Sequence, residues 1–221
     1  MDLKTRAIIL RRVNYGEADR IVELITPSGK VSAIAKGARR EKSRMAGGIE
    51  LFSLSDLVVR RKREDGLGIL SSVRLVEFFG TGIISDWARL EIAGETLREI
   101  SKRADGVGDS SFFDITEQTL RALNTGSNTD LIRAWFRLNV LQASGEHLNL
   151  WRDRQGTKLQ QGENYSWDAG SSALYLDPHG DIGTNEIKLM RLIVTSKLSL
   201  VAKVPEAAAI WPLVDRVTQI G

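Results

Sequence analysis

The chain has 221 residues, 42% hydrophobic and 27% charged, enough apolar material for one large domain or two small ones. It has no cysteine and two histidines, His147 and His179, which excludes disulfides, thiolate nucleophiles, cysteine-ligated zinc and a histidine-rich metal centre. The net charge of +3 is unevenly spread: residues 1–80 carry 16 Lys/Arg against 10 Asp/Glu (+6) and residues 81–221 carry 15 against 18 (−3), so an anionic partner is expected to meet the first part.

No segment approaches the roughly 18 uninterrupted apolar residues of a membrane helix. Met1 to Arg6 lacks signal-peptide architecture, so a cytoplasmic protein without membrane contact is expected.

In chain order, Lys4 to Val13 is a β-branched run and predicts a strand, followed by turn formers at Asn14, Gly16 and Asp19. Arg20 to Thr26 predicts a second strand that turns tightly at Thr26-Pro27-Ser28-Gly29, where proline presets φ and glycine accepts positive φ. Lys30 to Ala35 returns as a third strand, with Val31, Ala33 and Ala35 on one face and Ser32 and Ile34 on the other. Then comes Lys36-Gly37-Ala38-Arg39-Arg40-Glu41-Lys42-Ser43-Arg44, five cations and one acid in nine residues. Two readings stand side by side: a solvated charge run, or a loop on a small sheet that grips a polyanion. Leu51 to Lys62 predicts a fourth strand with a bulge near Ser53-Leu54-Ser55. It exits through a second basic cluster, Arg60-Arg61-Lys62-Arg63, before the hairpin tip Glu64-Asp65-Gly66 and a fifth strand, Leu67 to Phe79. Five short strands with one long loop fit a small closed barrel of the oligonucleotide/oligosaccharide-binding (OB) kind better than an open sheet.

From Gly80 the period becomes helical. One helix is expected from Ile84 to Arg103, capped by Ser85 or Asp86, with Trp87, Leu90, Leu97 and Ile100 on one face. A second starts at Asp109 or Ser110 and breaks at Asn124–Asn128. A third, Asp130 to Leu141, is apolar nearly all round, as the central helix of a bundle would be. Residues 146–183 are rich in Gly, Asp, Asn and Gln and too long for a plain loop, which predicts a small irregular β module. Asn185–Leu200 and Pro205–Ile220 read as two more helices. The fold class is thus α+β, with domains at 1–80 and 81–221.

Catalytic signatures are missing. There is no P-loop ending, no Gly-x-Ser-x-Gly elbow and no complete dinucleotide glycine pattern. Glu64-Asp65 reads as a solvated turn and His179 as an exposed turn histidine. The binding candidates are Lys36, Arg39, Arg40, Lys42 and Arg44, joined by Arg11, Arg12, Arg60, Arg61 and Arg63. Aromatic residues are scarce among them (Tyr15, Phe52, Phe78, Phe79), which favours contact through phosphates over base readout.

Several blocks resemble a known family. Thr5 to Leu10, Tyr15 to Val22, Ala35 to Arg40 and Lys42-Ser43-Arg44 are similar to the N-terminal signature of RecO, the bacterial DNA-repair and recombination mediator. Weaker likeness runs through Trp135–Leu141 and Ile187–Leu192. The resemblance implies an N-terminal OB barrel and a helical domain, binding of single- and double-stranded DNA, and annealing of complementary strands. It also implies work with RecR to load RecA onto strands coated by single-stranded-DNA-binding protein (SSB), contact with the acidic SSB tail, and a nucleoid-associated location. Many members carry a zinc module with two Cys-x-x-Cys pairs. Here Arg152–Gly156 and Tyr175–His179 stand in their places, so a zinc-free remnant is expected, packed around Trp151, Tyr165, Trp167 and Tyr175, with no cofactor. The rival reading is a protein-interaction adaptor whose Arg133 and Arg137 receive an acidic tail, with DNA binding secondary. A nuclease would need a carboxylate–metal site that the sequence does not assemble.

Overall fold

Five strands open the chain: β1 (Asp2–Tyr15), β2 (Asp19–Thr26), β3 (Gly29–Ala35), β4 (Ser53–Arg60) and β5 (Gly68–Phe78). In the computed structural model, which describes residues 2–61, 66–146 and 148–218, they close into a barrel in the order β1-β2-β3-β5-β4. Strand β1 is long because it serves two neighbours. Asp2 to Ile8 pairs with β4 and Ile8 to Tyr15 with β2, and the handover bends at an irregularity between Ile9 and Arg11. Closure rests on a short parallel pair, Ala33 with Gly68 and Ile34 with Ile69. The irregularity expected near Ser53–Ser55 lies between Leu54 and Ser55 in the β4–β5 ladder.

Alternation fills the barrel. Ala7, Ile9, Val22, Leu24, Val31, Ala33, Ala35, Leu57, Val59 and Leu70 point inward, and Ala38 and Ile49 of the β3–β4 connection join them. On the other side of the sheet Ile8 and its cross-strand partner Ile25 are also fully buried. Helices pack there: after the short α1 (Gly80–Ile84), both α2 (Trp87–Arg103) and α3 (Ser111–Thr125) lie against β1. The strands end where the expected boundary at residue 80 falls, but the compact unit runs on to Gly126, since the second apolar face of β1 needs a cover. Helix α2 is capped as expected, Asp86 accepting from the Arg89 N–H at 3.0 Å. Its buried stripe is Ile92, Ala93, Thr96, Leu97 and Ile100, whereas Trp87, expected on that face, is 80% exposed in the first turn.

Residues 127–221 form the second unit. Helix α4 (Thr129–Ala143) is its centre and packs against α5 (Thr184–Thr195), α7 (Trp211–Thr218) and the 3-10 turn Pro205–Ile210. Each of the two C-terminal helices expected from the sequence is divided. The first stops at Thr195 and resumes as α6 (Leu198–Val201). Side chains of α4 hold the break: the Trp135 indole donates to Ser196 O at 2.9 Å and the Asn139 amide to Ile193 O at 3.3 Å. Between α4 and α5 lies the irregular module with one two-stranded ribbon, β6 (Tyr165–Asp168) and β7 (Ala173–Leu176). No described helix is long and apolar enough to cross a membrane.

Candidate nucleic-acid interface

The chain leaves β3 at Ala35 and must turn at once, because Ala38 returns its methyl to the barrel core. Gly37 makes the turn in the left-handed region (φ 65°), where a side chain would be strained. Its N–H donates to Asp19 Oδ1 at 2.7 Å, and the Arg39 N–H donates to Ala18 O at 2.9 Å. The Arg39 guanidinium reaches Gly16 O at 3.2 Å. The basic segment is thus stapled to the β1–β2 turn. Downstream, the 3-10 turn Ala46–Ile49 seats Gly48 against Val73 of β5, and Ser55 Oγ of β4 donates to Gly48 O at 2.8 Å. A long loop is in this way held at both ends, and its apolar residues Ala38 and Ile49 are buried while Lys36, Arg39, Arg40, Lys42 and Arg44 are exposed.

Among the described residues no carboxylate pairs with any of these five cations. The strand arginines are different. Arg11 pairs with Glu23 at 3.7 Å, and Arg12 and Arg20 share Glu50. Arg60 pairs with Asp2 at 3.3 Å. Across the outer face of β1, β4 and β5, Asp56 is held between Arg6 and Arg74. The hydrogen bond from Arg74, then that from Arg6, keeps its carboxyl below the usual range, so the trio retains a fixed charge of +1. The loop Lys36–Arg44, five cations against Glu41, holds a larger excess of positive charge than either arginine–carboxylate trio.

The structure does not gather all ten sequence candidates in one place. Lys36 to Arg44 form one cluster at the β1–β2 and β3–β4 turns, with Arg12 of the Arg12–Glu50–Arg20 group close by along β1. Arg11 lies on the outer face of β1, opposite Glu23. Arg60 and Arg61 are at the end of β4, reached from β3 by way of β5. Arg61 is half-buried and lines a polar cleft of about 420 Å³ with Lys30, Ser32, Leu67 and Asp105. Lys30 is neutralised there by Asp105 at 2.7 Å. Arg63 lies outside the described residues. In the second unit Arg133 and Arg137 are half-buried on α4, and the Arg133 guanidinium stands 5.8 Å from the Trp211 ring centre.

The module at 146–183 is built from carboxylate-closed turns. Asp153 Oδ1 accepts from the Gln155 and Thr157 N–H groups at 2.9 and 2.8 Å, within the turn that the resemblance sets in the place of the first Cys-x-x-Cys pair of zinc-bearing members. Asp177 does the same at the second, accepting from the His179 N–H at 3.0 Å and the Ser166 hydroxyl at 2.7 Å. Of the four aromatics expected to pack it, only Tyr165 is buried. Trp151 is 47% exposed, and Tyr175 lies under the Arg154 guanidinium at 4.6 Å. Among the described residues no three His, Asp or Glu side chains are grouped to hold a metal ion.

A closed five-stranded barrel of this strand order, with a basic loop and helices on one flank, defines an OB-like fold. Residues 1–79 match the family model described as Recombination protein O N terminal. The DNA repair protein RecO of Anaeromyxobacter sp. (strain K) is 36% identical over 147 residues, 65% of this chain and 57% of that protein. That of Roseiflexus sp. (strain RS-1) is 34% identical over 149 residues, 67% of this chain and 52% of that protein. That of Dehalococcoides mccartyi (strain CBDB1) is 28% identical over 211 residues, 91% of this chain and 82% of that protein. The chain is thus similar to RecO proteins, most clearly over its barrel, and it spans little more than half the length of the first of these relatives.

Proposed function

We propose that the protein is a non-enzymatic DNA repair and recombination mediator. It binds single- and double-stranded DNA, anneals complementary strands and, with RecR, helps to load RecA onto strands coated by SSB. The observation that carries this reading is the loop Lys36–Arg44: five exposed cations, none paired among the described residues, on a backbone stapled to a barrel. Cations on a rigid frame neutralise phosphates without being reordered on binding, and so reduce repulsion between two strands. Once that repulsion is lowered, complementary bases meet without an energy source. The likeness to RecO proteins supports the assignment to repair. Arg133 and Arg137 are kept as the proposed meeting point for the acidic SSB tail, and the module at 146–183 as metal-free. The decisive experiment is strand annealing by the purified chain with bare and SSB-coated complementary strands. Acceleration in both is expected, and no acceleration in either refutes the reading.

A further inference from the structure

The second unit carries a groove that DNA binding does not use. Helix α5, the 3-10 turn Pro205–Ile210 and the start of α7 meet around a cavity of about 470 Å³, and ligand sites commonly enclose roughly 300–1,000 Å³. Leu189, Ala209, Ile210, Pro212 and Leu213 give it an apolar wall. Ile210 is buried, Leu189 and Leu213 are half-buried, and Ala209 and Pro212 are exposed, so the wall runs from the core of the unit out to solvent. Every residue of the groove belongs to this one unit.

Charge around the wall is one-sided. Asp181, Glu186 and Glu206 line the groove against a single cation, Arg216. Lys188, Arg191, Lys203 and Asp215, close by in sequence, are not part of the lining. Two of the three carboxylates already have work in the fold. Asp181 pairs with Arg216 at 2.8 Å, and Glu186 accepts from the Gly183 N–H at 3.0 Å at the start of α5. Glu206 stands exposed in the first turn of the 3-10 segment, and among the described residues no cation pairs with it.

Three negative charges against one positive, beside an apolar wall, select the ligand. An acidic peptide or a nucleic-acid strand would set its own negative charge against Glu186 and Glu206 and be repelled. A segment with an aliphatic side chain next to a lysine or arginine fits on both counts. Its aliphatic group covers Leu189 and Leu213, and its cation reaches Glu206 while the stem lies along the apolar edge.

We propose that this groove docks a basic, aliphatic segment of a partner protein. The groove and the basic loop belong to different units, so one chain offers a cationic surface and an anionic one to different ligands. Docking needs no DNA, and its failure would leave the DNA-binding reading untouched.

The test uses the full chain and three short labelled peptides at low salt: a repeat of Lys-Leu-Leu-Lys, the same peptide with serine for leucine, and the same peptide with glutamate for lysine. Fluorescence anisotropy is expected to show the first bound about tenfold more tightly than either of the others. Glu206→Gln should weaken it about threefold and Leu213→Ser about tenfold, with a thermal melt as the control for folding. Glu206→Lys sits at an exposed position that tolerates change, and is expected to weaken the first peptide at least about tenfold. It decides the outcome should Leu213→Ser fail to fold. Equal binding of the three peptides, binding of none, or indifference to Glu206→Lys overturns the docking site. Tighter binding of the glutamate peptide also overturns it, and would assign the groove to an acidic tail instead.

Discussion

Replacing Arg39, Arg40, Lys42 and Arg44 together by alanine isolates the contribution of the basic loop. These side chains are exposed and meet no carboxylate among the described residues, and the Arg39 guanidinium bonds a carbonyl, Gly16 O, so their loss is expected to change stability by no more than about 1 kcal/mol. The backbone staples, Gly37 to Asp19 and Arg39 to Ala18, use main-chain N–H groups and survive the substitution. Each phosphate contact on a single strand contributes about 0.7 to the slope of log K against log salt, so four contacts contribute up to about 2.8. Between about 50 and 200 mM salt that difference in slope corresponds to a factor of roughly 50. The unaltered chain and the variant should therefore differ greatly at low salt and converge as salt rises. Fluorescence anisotropy of a labelled oligothymidine over a salt series measures both slopes, with a thermal melt as the control for folding. An unchanged slope refutes the assignment of the loop. A melting temperature lowered by many degrees would mean that these cations hold the fold and not a ligand.

Further expectations follow from other contacts. A Cβ on Gly48 would meet Val73 Cγ1 at 2.4 Å and Ser55 Oγ at 3.3 Å, so Gly48→Ala should cost about 1–3 kcal/mol. Thermal melts should show this as a drop of several degrees, and an unchanged melt would mean that the loop is not seated on β5. Glu50→Gln removes the carboxylate shared by Arg12 and Arg20. It should cost up to about 1 kcal/mol yet tighten DNA binding severalfold at low salt, and weaker binding would contradict the placement of those arginines beside the interface. In the irregular module the Ser166 hydroxyl and the His179 N–H hold the Asp177 carboxyl below its ordinary value, and the Ser171 hydroxyl and the Gly170 N–H do the same for Asp168. A carboxylate with a depressed folded pKa contributes its full stabilisation above the unfolded value and loses it as pH falls through the folded one. The melting temperature should accordingly decline below about pH 4, and less steeply in the Asp168→Asn and Asp177→Asn variants. Parallel pH curves for variant and parent would show that those turns carry no such linkage.

Much of the first unit was legible because its signals are local. The alternation of Val31, Ala33 and Ala35 against Ser32 and Ile34 is the burial pattern of β3, and Thr26-Pro27-Ser28-Gly29 does turn β2 into β3. Asp86 caps α2 because an aspartate before a helical run has few better uses for its side chain. Other features depend on partners distant in sequence. Trp87 has helical spacing to Leu90 but faces solvent, since spacing places residues on a common face without saying which face is covered. The break after Thr195 is held by Trp135 and Asn139, some 54 to 61 residues away. Nothing within Asn185–Leu200 announces it. The module at 146–183 was recognisable as irregular, but not that Asp153 and Asp177 close its two turns.

For the site itself, the sequence alone determined the charge. Five cations between two β-branched runs cannot be buried unpaired, so Lys36 to Arg44 had to be a surface feature. Which cations are available was decided by the tertiary structure, because an arginine is compensated only when the fold brings a carboxylate to it. Glu50 reaches Arg12 from 38 residues away, and Asp2 reaches Arg60 from 58, while the loop cations receive no such partner among the described residues.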